Sequence, residues 1–414
     1  MSAPFRLALL ATVLAFGGYA LLLPVVPMWV ARGGSGAVGA GATTGVLMLV
    51  TVTTQLAVPW LLARIGHRWV LGLGAALLGA PAPLLALSTD LAPVLAVSAA
   101  RGVGFGLATV AGSAVVAELV PPAQLGRASA RYGIAVGLPQ LVLLSTGVAA
   151  AERFGFALVF VVAGVLPLLG ALTAMAVRVP NRAERPVPAP APQAPAPRSG
   201  PPAWWPVLAM LVCATAQGGL ITFLPLAVPG AGAVVALALL GTAAGGLTGR
   251  LVAGELVDRH GWGGRLLRPG VVVAGVGMTA EAFVGAGPLV VVGAVVVGLG
   301  FGLVQNDALT ALFAAAGPER HGEASAAWNI AYDAGTGTGA VGLGAVAEPL
   351  GYAAAFGTSA ALLGLVALGR LPRSTSSVPQ RRPRLVPRAA RWVRWGPPSP
   401  GRVTLPPRAG GRRR

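Results

Sequence analysis

Two carboxylates, Asp307 and Asp333, sit inside long apolar runs. Asp307 follows Gln305 and Asn306. Asp333 comes one helical turn after Asn329, which puts the two on one face, and Trp328 and Tyr332 form an aromatic stripe beside them. A carboxyl group that loses its hydration favours its neutral form, so it can take up a proton and release it when water returns. These residues therefore offer reversible proton binding inside an apolar body; the plainer alternative is an acid that only ties helices together. Arg101 lies about 14 Å into another apolar run, where a charge is costly unless it meets water or a partner. Gln217, Tyr19 and Gln140 are further polar groups in apolar runs that could line a cavity, although each alone also reads as a helix-packing hydrogen bond. Glu281 and Arg250 carry weaker signals of the same kind.

No catalytic constellation accompanies them. His67, His260 and His321 fall in arginine-bearing connections without metal-ligand spacing. The single cysteine, Cys213, lies in an apolar run, so no disulfide framework or metal site is expected. We expect no enzyme and no bound cofactor. The net charge of +18 invites a nucleic-acid reading. It falls to +6 without the twelve arginines of 371–414, and the remainder follows a membrane pattern.

The elements that position these residues are apolar helices. Hydrophobic residues make up 55% of the chain and charged ones 10%. Near-uncharged runs of about 20 residues are long enough to span a bilayer, and 60 glycines do not suit alternating barrel strands. Twelve spans are expected, at roughly 7–30, 38–63, 69–88, 92–118, 131–150, 156–177, 205–227, 233–257, 269–287, 289–314, 324–346 and 351–369. Residues 101–160 realign on 297–356 at an offset of 196: Gly102, Gly104 and Gly106 fall on Gly298, Gly300 and Gly302. The chain thus reads as an all-α polytopic membrane protein of two pseudo-symmetric six-helix bundles. The expected parts are a first bundle at 1–177, a Pro/Ala/Arg-rich linker at 178–203, a second bundle at 204–370 and a basic tail at 371–414. At this offset Asp307 and Asp333 fall on Ala111 and Gly137, so the acid chemistry belongs to one half.

Arginine placement orients the spans. With both termini cytoplasmic, the inner connections and the N-terminus hold thirteen arginines and the outer ones two, Arg32 and Arg153. The expected location is a bacterial plasma membrane. The tail, with Arg381-Arg382-Pro383-Arg384 and Arg391-Trp392-Val393-Arg394-Trp395, reads as disordered or as resting on the anionic inner leaflet.

Between the eighth and ninth spans stands Gly254-Glu255-Leu256-Val257-Asp258-Arg259-His260-Gly261. This Gly-x-x-x-Asp-Arg-x-Gly signature, with the two six-helix halves, resembles the major facilitator superfamily over roughly residues 5–370. The first-half copy, Pro59 to Arg68, keeps Arg64, Gly66 and Arg68 but carries Ala63 in place of the acid. The resemblance implies a cytoplasmic gate in which Asp258 meets a helix start of the other half, a one-sided latch between helices 8 and 5. Gly254 would let helices approach there, with Arg259 and Gly261 completing the motif. It also implies a proton-relay role for an Arg before the glycines of helix 4, which Arg101 matches in kind but not in register. Gly133, Gly137 and Pro139 partly match the Gly/Pro helix of bacterial drug and metabolite efflux permeases. The implied function is alternating-access transport: proton-coupled export of small organic or amphipathic compounds, or alternatively symport or facilitated uptake of a sugar or other metabolite. The proton gradient would supply the energy, and a monomer is expected.

Overall fold

The computed structural model describes residues 2–120, 124–177, 204–283, 287–316 and 320–369. The expected linker and tail lie outside them. The described residues are helical throughout, with connections of a few residues. In order, the helices are α1 Ala3–Leu22, α2 Val25–Arg32, α3 Gly36–Ile65, α4 His67–Gly79, α5 Leu91–Glu118, α6 Leu125–Phe154 and α7 Phe156–Met175. Then come α8 Trp204–Ala227, α9 Gly232–His260, α10 Leu267–Glu281, α11 Gly287–Ala316 and α12 His321–Leu368. A helix bonds its backbone within itself, and that lets runs of Ala, Val, Leu and Gly cross a medium without water.

Among the described residues, ten helical stretches are long and apolar enough to cross a membrane, against the twelve expected. Two places account for the difference. α10 is only 15 residues long. At the other place the expected break between the last two spans is a single residue, Gly351 at φ 83°, so helix continues on both sides of it in one stretch. The first span bends at Leu23–Pro24 into α1 and α2, and the third continues past Pro81 as a 3-10 turn, Ala82–Leu87, because proline removes a helix hydrogen bond.

The described residues belong to one compact unit. Its first half is α1–α7 and its second α8–α12. Glycines let the helices close within each half, and they do so in the same way twice. A Cβ at Gly102 would meet Leu47 O at 2.5 Å and one at Gly106 would meet Thr51 O at 2.8 Å, so both face α3, while Gly104 faces α4. Their counterparts Gly298 and Gly302 face α9 with no room for a Cβ, and Gly300 faces α10. The paired Gly-x-Gly-x-Gly runs are helix-packing surfaces.

The halves meet where α3 lies along α12 and α6 along α9. One end of the bundle carries the turns with Arg64, Arg68, Arg259, Arg265 and Arg268, and is called the arginine end below; the other is the far end. Near the far end α3 and α12 are in close contact. A Cβ at Gly41 would overlap Ala340 O, one at Gly337 would meet Met48 Cβ at 2.8 Å and one at Gly344 would meet Ala37 O at 2.8 Å. Toward the arginine end, Gly133 and Gly137 of α6 have nothing within 4 Å.

Candidate functional site

Among the described residues, hydrogen bonds join the halves at two places, both between α3 and α12. At the far end, the Ala37 and Val38 amides donate to Glu348 Oε2 at 2.5 and 3.1 Å. Deeper in, Gln55 Nε2 donates to Asp333 Oδ2 at 2.7 Å. Asp333 is 2% exposed and Gln55 7%. Ten residues separate Gln55 from the end of α3, which places this bond about 15 Å inside the arginine end.

A polar and aromatic site surrounds it. From the first half, Gln55 Nε2 also donates to Thr109 Oγ1 at 3.3 Å, and Tyr132 Oη donates to Thr109 O at 3.1 Å. Tyr19 stacks on Phe105 at a 3.9 Å centroid distance. The Tyr19 hydroxyl is buried without a hydrogen-bond partner among the described residues, and it lies within electrostatic reach of Tyr332, Asp333 and Arg101. From the second half, Tyr332 lies 6.2 Å from Trp328 and 5.7 Å from Phe301, ring to ring. Trp328 Nε1 donates to Gln305 O at 3.0 Å, and Arg250 Nε donates to Gln305 Oε1. Asp333 thus has one neutral donor, contributed by the opposite half, and forms no ion pair among the described residues. Such a group can change protonation with little rearrangement around it, and its state is felt where the halves touch.

Asp333, Trp328, Tyr332, Gln305 and Tyr19 are therefore brought together. Asp307 is elsewhere. It is fully buried, and its carboxylate accepts the Gly264 and Leu266 amides at 2.6 and 2.7 Å, holding the turn between α9 and α10. Asn306 lies beside Gly254 on the arginine side, and Asn329 donates to Ser325 O of its own helix at 2.9 Å. Gln217 is buried with Oε1 unpartnered among the described residues; Gln140 is half-buried in α6. Arg101 is 2% exposed, donates from Nε to Leu78 O at 3.3 Å, and lines a small cavity inside the first half with Tyr19, Ser98, Thr43 and Thr44.

The signature residues sit at the arginine end. Asp258 is exposed and makes no bond among the described residues, while Arg259 pairs with Glu255 of its own helix. A Cβ at Gly254 would find its nearest neighbour 4.0 Å away, so helices do not crowd there. Gly261 closes α9 at φ 66° and Gly66 closes α3 at φ 84°, a conformation side chains other than glycine rarely adopt. Arg64 and Arg68 lie over Trp60 and Trp69 at 4.8 and 5.4 Å.

Sequence reasoning missed Gln55, Thr109, Phe105 and Phe301. Gln55 carries the signal that singled out Gln217 and Gln140, an amide inside an apolar span. Thr109 and the two phenylalanines carry none, because Thr and Phe are ordinary in such spans.

The model of the Major Facilitator Superfamily matches residues 8–340. No curated protein sequence matches the chain. The fold is similar to that of a bacterial homolog of the human lysosomal transporter Spinster in an inward-facing, unoccupied conformation (TM-score 0.72, 15% identity, 89% of this chain and 96% of that one). It is similar also to the nucleoside transporter NupG (TM-score 0.70, 11% identity, 88% and 98%). A third similar structure is a POT family transporter in complex with 5-aminolevulinic acid (TM-score 0.69, 14% identity, 88% and 94%). With the family match running from α1 into α12, over a repeated helical fold closed around a polar seam, the chain belongs to the Major Facilitator Superfamily and is a multi-pass membrane transporter.

Proposed function

We propose that the protein exports small organic, amphipathic compounds in exchange for protons, with Asp333 as the proton-carrying group. The observation that carries this reading is the buried Gln55–Asp333 hydrogen bond, since it joins the group that binds the proton to the contact between the halves. In the conformation described, ionised Asp333 accepts the Gln55 amide and the seam is closed from there to the far end. A compound enters from the arginine end and lies against Trp328, Tyr332 and Phe301. The halves rock, the site faces the far end, and a proton arriving there neutralises Asp333. The compound leaves, the halves return, and the proton departs on the arginine side. Asp307 is left out of this cycle because two backbone amides already hold its carboxylate.

The arginine end is the cytoplasmic one, on the asymmetry of basic residues, in the plasma membrane of a bacterium with both termini inside. The protein works as a monomer, and the proton gradient is its energy source. Similar folds belong to a nucleoside transporter and to a transporter holding 5-aminolevulinic acid, which supports cargo of that size.

The test is collapse of an imposed pH gradient in inverted vesicles across a compound panel. Proton release on compound addition should appear in the wild type and in Asp307→Asn and vanish in Asp333→Asn. Compound movement without a proton signal in any of the three would replace this reading with facilitated diffusion.

A further inference from the structure

The far end places a carboxylate of one half at a helix start of the other at two positions, with hydrogen bonds at the first and close contact at the second. α3 begins at Gly36, and its N-cap residue Ser35 makes no side-chain capping bond. The amides of Ala37 and Val38, free at a helix start, are instead taken by the Glu348 carboxylate of the other half, at 2.5 and 3.1 Å. α9 begins at Gly232 after Ala231, whose side chain has no atom that can cap. There the Glu152 carboxylate of α6 lies against Gly232 so closely that a Cβ would overlap it. Gly36 and Gly232 are 196 positions apart, as are Glu152 and Glu348. This is the offset of the internal repeat, so each half supplies a carboxylate to the start of the other half's second span.

We propose that Glu348 on α3 and Glu152 on α9 are twin latches that hold the far end of the transporter shut. The physical basis is a negative group on a positive helix start, supplied across the moving seam. Both carboxylates are exposed, so on opening they return to water. Each contact is correspondingly modest, as a latch broken in every cycle must be. At the arginine end the acid of the family signature, Asp258, makes no bond among the described residues. The glycines belong to the device because any side chain at Gly36 or Gly232 would displace the carboxylate. Gly36 is also at φ 63°, which leaves Gly232 as the position where a methyl group tests the contact without backbone strain.

The proposal rests on the alternating-access part of the reading above and not on its proton coupling. The test needs neither cargo nor gradient. Spin labels on Leu87→Cys and Ala353→Cys report the far-end separation by electron–electron distance measurement in lipid nanodiscs; native Cys213 is buried and stays unlabelled. Each of Glu348→Gln, Glu152→Gln and Gly232→Ala should lower the closed-to-open ratio by roughly fivefold, near the effect of one charge at a helix end. The two glutamate changes together should multiply to about 25-fold, because the sites are independent. Asp90→Asn, an exposed acid at the same end, should change nothing. Variants that lower the thermal midpoint while the distance distribution stays that of the wild type would overturn the latch and leave ordinary surface contacts. A wild type with two populations that the double variant leaves untouched would overturn the latch alone. A single population in every chain, wild type included, would remove the latch together with alternating access.

Discussion

The two halves share a frame and differ in what they do with it. Gly102, Gly104 and Gly106 press α5 against α3 and α4, and Gly298, Gly300 and Gly302 press α11 against α9 and α10 in the same way. At the same offset Asp333 corresponds to a glycine, Gly137, where a Cβ would have nothing within 4 Å, and Asp307 corresponds to Ala111. Backbone-to-backbone approach tolerates no other side chain, so packing stays paired between the halves. A charge in the seam is needed once, and a second would add only desolvation cost. The site is then completed asymmetrically: Gln55 and Thr109 come from the first half, Asp333 and its aromatic neighbours from the second.

The largest expected effect tests the shared frame. Gly298→Val should cost about 3 kcal/mol, because a side chain there overlaps the α9 backbone, and Gly102→Val should cost a similar amount. Gly137→Val, pointing into open space, should leave the thermal unfolding midpoint in detergent unchanged. Equal tolerance at Gly298 and Gly137 would break the comparison. Next comes the structural acid. Asp307→Asn weakens the hold on two buried amides and should cost about 2 kcal/mol in the same unfolding measurement, with transport kept in the folded fraction. Gln55→Leu leaves a buried carboxylate without its donor and should cost about 1–2 kcal/mol, with the seam loosened in hydrogen exchange of α3 and α12. Smallest is Arg259→Ala. Its partner is an exposed glutamate on its own helix, and the change should stay within about 0.5 kcal/mol of zero.

Much of the frame was legible because it repeats. The offset of 196 predicted which helices correspond, and uncharged runs located most spans. The expected count of twelve meets ten apolar stretches among the described residues, because α10 is short and helix continues on both sides of the expected break at Gly351. The site was half legible. Asp333, Tyr332, Trp328 and Gln305 stood out as polar or aromatic residues at helical spacing. Asp307 stood out for the same reason and has a different job, since sequence shows that an acid is buried but not which amides reach it. Gln55 is 278 positions from Asp333, and no local pattern joins them. The signature Asp258 predicted a latch at the arginine end, where it makes no bond among the described residues, and the carboxylate bonded across the seam at a helix start is Glu348 at the far end.

The central claim is that Asp333 carries the proton and does not merely hold the seam. Reconstituted into liposomes, wild type and Asp333→Asn can be compared in gradient-driven movement and in exchange of labelled for unlabelled compound without a gradient. Gradient-driven movement should be lost in Asp333→Asn while exchange continues, because the path is intact and only the coupling group is gone. Retention of both activities, or loss of both, would contradict the account.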